Sequence, residues 1–108
     1  MISEILTAAG VTNRQGRFIK PPTETYAVYF DDISMEGADR VGHSRLPRIY
    51  HHTVRVEVYE PTPDDKTEND IEAEFDAWGL LWEKQDRYWL QDVQRYQVIY
   101  ELSYTSKT

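Results

Sequence analysis

The segment RYQVIYELSYT, residues 95–105, alternates apolar and polar side chains with Ile99 as its one exception. Successive side chains of a β-strand point to opposite faces of a sheet, so this alternation predicts a strand with one buried face. A strand of this kind needs neighbouring strands and a cover for its apolar face. The predicted inward side chains are Tyr96, Val98, Tyr100, Leu102 and Tyr104.

Residues 25–32 and 49–60 have the same period of two, and residues 82–90 are predicted to be a further strand. The first is predicted to end at Asp31-Asp32. The last is predicted to form a hairpin with 95–105 around Gln91-Asp92. The second has one continuous inward face, made of His52, Val54, Val56 and Val58.

Two segments have helical periodicity. Residues 2–9 predict a short helix, with Ser3 as its N-cap and Gly10 as its end. A longer helix follows the strand 49–60, with Thr62 as the predicted cap and Gly79 as the end. Its predicted apolar stripe consists of Ile71, Phe75 and Trp78.

Two further segments show neither period. Residues 11–20 predict a linking arm, and residues 33–48 predict a long flexible loop or the flexible tip of a hairpin; segments of this length are functional or disordered in most compact domains. We therefore predict one domain, residues 1–108, of the α+β class: an antiparallel sheet of about four strands with two helices packed on one face.

The net charge of −7 and the absence of cysteine narrow the range of functions. Bulk binding to nucleic acid or to an anionic membrane surface requires cationic patches. Without cysteine, disulfides and thiolate metal sites are excluded. The N-terminal segment carries Glu4 where a signal peptide has positive charge, and no apolar run approaches a membrane span. We expect no membrane partner and synthesis in the cytoplasm.

The sequence contains no residue pattern that indicates a catalytic or metal site. His51 and His52 are adjacent in a predicted strand and point to opposite faces, so they do not share one ion with His43. The acidic stretch 64–76 lacks the glycine and the ligand spacing of a calcium loop. We predict no enzyme activity, no metal and no cofactor.

The outward face of the predicted sheet includes large apolar residues. Ile99, Trp89 and Tyr59 fall on this face, and clustered exposed aromatics are typical of interfaces. Two interpretations stay open: a contact surface for a partner, or the isolated outward apolar residues that most protein surfaces carry.

Charge is divided unevenly between two neighbouring segments. Residues 40–55 carry four arginines and no acid, whereas residues 57–76 carry nine acids and only Lys66 as a cation. We predict that the strand 49–60 separates them within a subunit and that they pair head to tail between subunits, as in a closed ring. The alternative is two solvated surfaces, because exposed ion pairs contribute under about 1 kcal/mol. The predicted subunit interface consists of Arg40, Arg45, Arg48, Glu68, Glu72 and Asp76.

The order of segments resembles that of a known group of proteins. The succession RFIKPPTETYAVYFDDISMEGAD, HHTVRVEVYE, an acidic helix and YWLQDVQRYQVIYELSY is similar to small tail-assembly proteins of long-tailed (siphovirus-type) phages and prophages of Gram-positive bacteria. Within that group the chain is most like the tail terminators, also called tail-completion or head-tail joining proteins. The resemblance extends from about Arg17 to Tyr104 and includes no catalytic signature.

The resemblance implies a structural virion protein whose subunits form a ring, commonly a hexamer, that caps the tail tube and joins it to the head. The implied partners are other copies of the chain, the tail tube protein and the head-closure or connector protein. Genome DNA passes through such a ring without sequence-specific binding. The implied location is the tail or neck of the virion, and the host cytoplasm during assembly. The alternatives are a head-closure or connector subunit and, from a different class, an acidic inhibitory binding protein.

Overall fold

The computed structural model describes residues 1–35 and 49–107, which form a mixed α+β fold with two helices and an open six-stranded sheet. The predicted class is confirmed, but the prediction of about four strands is wrong. The elements are α1 (Ile2–Ala8), β1 (Thr12–Gln15), β2 (Tyr26–Met35), β3 (Ile49–Glu60), α2 (Asp65–Ala77), β4 (Leu81–Lys84), β5 (Tyr88–Leu90) and β6 (Arg95–Lys107).

The additional strands lie at the edges of the sheet, where the sequence carries little periodicity. Residues 12–15, predicted as part of a linking arm, pair in parallel with β2. The segment predicted as one strand, 82–90, forms two short strands that both pair antiparallel with β6. The side chains of these short edge strands are mostly exposed, so no alternation of apolar and polar residues is required.

The strand order is β1-β2-β3-β6-β4, and β5 also pairs with β6. Antiparallel pairing of β2, β3 and β6 places the alternating valines of β3 beside the predicted inward residues of β6. Both helices pack on this inner face, as predicted, and the opposite face is the outer face of the sheet. The fully or almost fully buried sheet residues include Val54, Val56, Val58, Val98, Tyr100 and Leu102.

Both helices end as predicted, but neither has the predicted N-cap. Gly10 and Gly79 have positive φ angles of 79° and 70° and follow the two helices. Ser3 is not the cap of α1, because its Oγ donates instead to Asn13 Oδ1 at 2.8 Å. The cap of α2 is Asp64 rather than Thr62: the Asp64 carboxylate accepts the backbone amide of Thr67 at 3.1 Å.

The apolar stripe of α2 is shorter than predicted. Ile71 and Phe75 are fully buried, and the Phe75 ring packs edge-on against Tyr100 at 5.4 Å. Trp78 lies beyond the last helical residue and is 45% exposed, so its assignment to the core was wrong. The inward position one turn before Ile71 is occupied by Glu68, which is 2% exposed.

The sheet is much longer than the helices that cover it. The 13 residues of α2 span about 20 Å, whereas the 12 residues of β3 span about 40 Å. The helices cover one end of the sheet, the base. Beyond it a three-stranded ribbon extends, which we call the tongue: residues 31–35 of β2, 49–53 of β3 and 103–107 of β6.

The strands of the tongue include the first residues of the predicted loop, and they account for the elongated shape of the protein. Strand β2 continues past Asp31-Asp32 to Met35, so residues 33–35 are strand, and residues 36–48 lie outside the described residues. The radius of gyration is 16.0 Å, compared with about 13 Å for a compact domain of this length.

Candidate assembly surface

The inner face of the tongue is a sheet surface that the helices do not reach. Ile33, His52 and Tyr104 lie side by side on it, one from each strand. Ile33 is 59% exposed, in contrast to the fully buried Val56 further along the same face. The tongue thus presents apolar and aromatic side chains without a cover from the described part of the chain.

A hydrogen-bonded group ties the three strands of the tongue together. His52 Nδ1 lies 3.2 Å from both carboxylate oxygens of Asp31, and its Nε2 lies 2.8 Å from Ser106 Oγ. The carboxylate fixes the proton on Nδ1, so Nε2 accepts the Ser106 hydroxyl. The imidazole also stacks on Tyr104, with centroids 4.3 Å apart and an interplanar angle of 8°. Burial and the nearby Asp31 raise the pKa of Tyr104.

The order Asp31, His52, Ser106 is the order of groups in a catalytic triad. A triad also requires a substrate cavity and hydrogen-bond donors aimed at a developing oxyanion. The three side chains instead lie across an open strand surface, and the imidazole is held flat against Tyr104. Among the described residues, the three side chains therefore serve to join the strands of the tongue.

The described residues contain no group of three or more His, Asp or Glu side chains able to hold a metal ion. His51 is exposed and His52 is engaged with Asp31, while His43 lies outside the described residues. Neither described helix is long and apolar enough to cross a membrane.

The outer face of the base carries a second aromatic surface. Phe18 packs edge-on against Tyr26 at 5.3 Å, and Tyr26 stacks on Tyr59 at 5.1 Å. An open groove of about 230 Å³ runs past these rings to Phe30 and Val93. The aromatic segment before β2 thus covers part of the outer face.

The three residues predicted on the outer face have different environments. Tyr59 and Ile99 are half-buried there, and Tyr59 is held by stacking on Tyr26. Trp89 pairs with Tyr96 across β5 and β6, so it lies on the inner face. Its assignment to the outer face was wrong, because β5 is a separate strand whose register differs from that of one continuous 82–90 strand.

An ionic cluster lies between α2 and the base of the sheet. Arg87 contacts Glu68 at 2.6 Å, Glu60 at 3.3 Å and Asp65 at 2.5 Å. Lys84 contacts Glu68 at 2.8 Å. Two cations from the β4–β5 segment therefore neutralise acids of α2 within the subunit.

Two glutamates of this cluster are buried and have opposite pKa shifts. Burial and a hydrogen bond to the Glu68 carboxylate raise the pKa of Glu60 to about 8. Burial alone would raise the pKa of Glu68, but hydrogen bonds from Glu60, Lys84 and Arg87 outweigh it and lower that pKa. Glu60 Oε2 is buried and receives no hydrogen bond from a donor among the described residues; with a proton on it, this oxygen is itself the donor to the Glu68 carboxylate.

The three acids predicted for the subunit interface differ in their accessibility because of these contacts. Glu68 is almost fully buried by the cluster, so it is not accessible to a neighbouring subunit. Glu72 accepts the Tyr100 hydroxyl at 2.7 Å and pairs with Lys84. Asp76 is exposed at the end of α2 nearest the tongue, where it accepts Trp82 Nε1 at 2.8 Å.

The predicted cationic side of the interface, Arg40, Arg45 and Arg48, lies outside the described residues. The contact between these arginines and Asp76 therefore stays a prediction. Sequence reasoning missed the tongue network, although the predicted strand 49–60, about 40 Å long, exceeds the predicted helix between Thr62 and Gly79, about 24 Å long, and was a usable signal.

No protein-family model and no curated protein match the chain. Among solved structures, the chain is similar to a chain of the "Virion of native gene transfer agent (GTA) particle", with a TM-score of 0.61. The two are 10% identical, and the match covers 96% of this chain and 84% of that chain. At this identity the likeness establishes the fold, which this chain shares with a component of a virion particle.

Proposed function

We propose that the chain is a structural virion protein, a tail terminator subunit whose ring caps the tail tube and joins it to the head connector. The observation that carries this proposal is the likeness in fold, over 96% of the chain, to a chain from a gene transfer agent virion. The resemblance to tail terminators of phages and prophages of Gram-positive bacteria narrows the role within the virion.

The exposed tongue supports an assembly role. A monomeric protein gains little from extending three strands beyond its core, because exposed apolar side chains and open strand edges favour association. The hydrogen bonds of His52 with Asp31 and Ser106 hold this surface in one shape before a partner binds. A preformed surface lowers the entropic cost of assembly.

The charge distribution supports a head-to-tail arrangement of subunits. Thr25 donates to Asp64 at 2.7 Å, so α2 begins at the start of β2, about 30 Å from Met35 at the tip of the tongue. Asp76 is at the opposite end of α2, closer to the tongue. We propose that Arg45 and Arg48 of one subunit contact Asp76 of the next, with complementary charge setting register more than affinity.

The partners of this function are further copies of the chain, the tail tube protein and a head-closure or connector protein, in the tail or neck of the virion. The role requires no cofactor and no catalytic step. Genome DNA passes through the ring without base-specific contacts, in keeping with a net charge of −7.

Size-exclusion chromatography with light scattering, on the chain alone and with tail tubes of the phage or prophage that encodes it, tests the proposal. We expect rings that bind one end of the tubes in negative-stain micrographs. A chain that binds the head connector but not the tube would identify a head-closure or connector subunit instead. A chain that stays monomeric with both partners would contradict the proposal.

The acidic inhibitor alternative is less compatible with the acids of α2. A protein that mimics DNA presents its negative charges along one open surface, whereas Glu68, Glu72 and Asp65 are engaged by Lys84 and Arg87. Stoichiometric inhibition of a nuclease by a monomeric form would favour the inhibitor.

A further inference from the structure

The tongue has two open edges, one on each side of β3, and their strands run in the same direction. β1 pairs with β2 only as far as Tyr29, so residues 30–35 of β2 have no neighbour on that side among the described strands. β4 pairs with β6 only as far as Ser103, so residues 104–107 are likewise open within the described part of the chain. Both stretches carry backbone groups that bond to water or to another strand.

The two edges match each other. β2 and β6 are each antiparallel to β3, so they run in the same direction. Ile33 and Tyr104 are both in register with His52, which places the open stretches at the same height. A second copy placed beside the first therefore brings its β2 edge against the first copy's β6 edge as a parallel pair.

The shape of the sheet favours a closed arrangement of such copies. The base is five strands wide, from β1 to β4, while the tongue is three strands wide. At about 4.8 Å per strand, the base is about 10 Å wider than the tongue. Wedge-shaped subunits joined at their narrow ends diverge at their wide ends, so β4 and the neighbour's β1 do not collide.

We propose that the tongues of neighbouring copies pair edge to edge, β2 of one with β6 of the next, into one continuous ring of strands. This inference rests on the proposed ring and names the contact that closes it. The pairing is heterologous and repeats identically, so a closed ring leaves no tongue edge open.

Side chains at the two edges are suited to this contact. Ile33, now 59% exposed, comes beside the neighbour's Tyr104 on the inner face. In the same parallel register, Ser34 lies at the height of the neighbour's Thr105, so the open backbone groups of the two strands pair with each other. The same neighbour therefore covers exposed apolar surface and pairs an open strand edge.

Disulfide cross-linking tests the contact directly, because the chain contains no cysteine. The variants Ser34→Cys/Thr105→Cys and Asp32→Cys/Thr105→Cys sample the parallel register at equal height and the register shifted by two residues. Within one chain β3 separates β2 from β6, so the paired Cα atoms are about 10 Å apart, beyond the limit of about 7 Å for a disulfide. Any disulfide must therefore join two copies.

Oxidised rings of at least one tongue variant are expected to give a ladder of covalent oligomers on a non-reducing gel. The control, Arg14→Cys/Glu83→Cys, places exposed cysteines on β1 and β4 at the wide base. We expect at least about tenfold less cross-linking there, because the wedge keeps these positions beyond disulfide distance.

The outcomes distinguish this inference from the proposed function. Rings that cap tubes but give no ladder in either tongue variant, or give as much cross-linking in the base control, overturn edge pairing and leave the function standing. A wild-type chain that remains monomeric with tail tubes contradicts both.

Discussion

The base and the tongue share the strands β2, β3 and β6 but differ in what surrounds these strands. In the base, Val56 and Tyr100 are fully buried beneath the helices, whereas Ile33 in the tongue is 59% exposed on the same face of the sheet. Hydrophobic burial therefore stabilises the fold at one end only. The comparison teaches that strand length beyond the helices adds little buried surface, and we propose that it serves contacts outside the subunit.

The polar groups of the two regions also differ in burial. Glu60 and Glu68 in the base are buried and depend on the cations of the β4–β5 segment. Asp31 and His52 in the tongue form a smaller group at the surface. Substitutions in the base should therefore change the stability of the fold, and substitutions in the tongue should change assembly.

The largest effect is expected in the apolar core of the base. Phe75→Ala should lower the free energy of unfolding by about 3 to 5 kcal/mol, because it removes a fully buried ring packed on Tyr100 and Trp82. Trp78→Ala is the control, with a loss under about 1 kcal/mol, since Trp78 is 45% exposed. Chemical denaturation measures both, and equal losses would mean that Trp78 is part of the core.

A smaller loss is expected from the ionic cluster. Arg87→Ala leaves Glu60 and Glu68 buried without their shared cation and should cost about 2 to 3 kcal/mol, allowing for the partial exposure of the guanidinium. Lys66→Ala removes an exposed pair with Asp70 and should leave the denaturation midpoint unchanged. Matching midpoints for the two variants would refute a structural role for the cluster.

The pH dependence of stability should report on Glu60. Its folded pKa of about 8 exceeds the ordinary value of 4.5, so between these values the folded state binds more protons than the unfolded state. Stability should therefore fall as pH rises through this window, by up to about 1.4 kcal/mol per pH unit. Glu60→Gln should lose this dependence, as denaturation at pH 5, 6, 7 and 8 would reveal. Parallel profiles for the variant and the wild type would be inconsistent with the raised pKa.

The smallest effect on stability is expected in the tongue. His52→Ala removes the stacking on Tyr104 and the hydrogen bonds to Asp31 and Ser106, a loss of about 1 kcal/mol at this partly exposed site. His51→Ala, on the opposite face, should have no measurable effect. Thermal melts test stability and light scattering tests ring formation, which should weaken only in His52→Ala. Unchanged rings in both variants would argue against a preformed tongue.

The sequence predicts those parts of the fold in which side-chain burial follows the backbone period. β3, β6 and the body of α2 bury every second or every third to fourth residue, so their existence and inward faces were predicted correctly. β1 was missed because an exposed edge strand is stabilised by backbone pairing with β2, for which residues 12–15 show no side-chain pattern.

Other predictions were wrong because contacts between residues distant in sequence outweigh the local sequence signal. Asp64 replaces Thr62 as the cap because Thr25, 39 residues away, also donates to its carboxylate. Glu68 is buried because Arg87, distant in sequence, neutralises it. Asp31-Asp32 continues a strand instead of ending it, since His52 on the adjacent strand binds Asp31.

The central claim, that the base folds the chain and the tongue assembles it, is tested most directly by light scattering of Ile33→Asp beside Ile19→Asp. Both isoleucines are exposed, at 59% and 86%, and only Ile33 lies on the tongue. We predict that both variants melt like the wild type, that Ile19→Asp forms rings, and that Ile33→Asp remains monomeric. Rings of wild-type mass and stability from Ile33→Asp would contradict the claim.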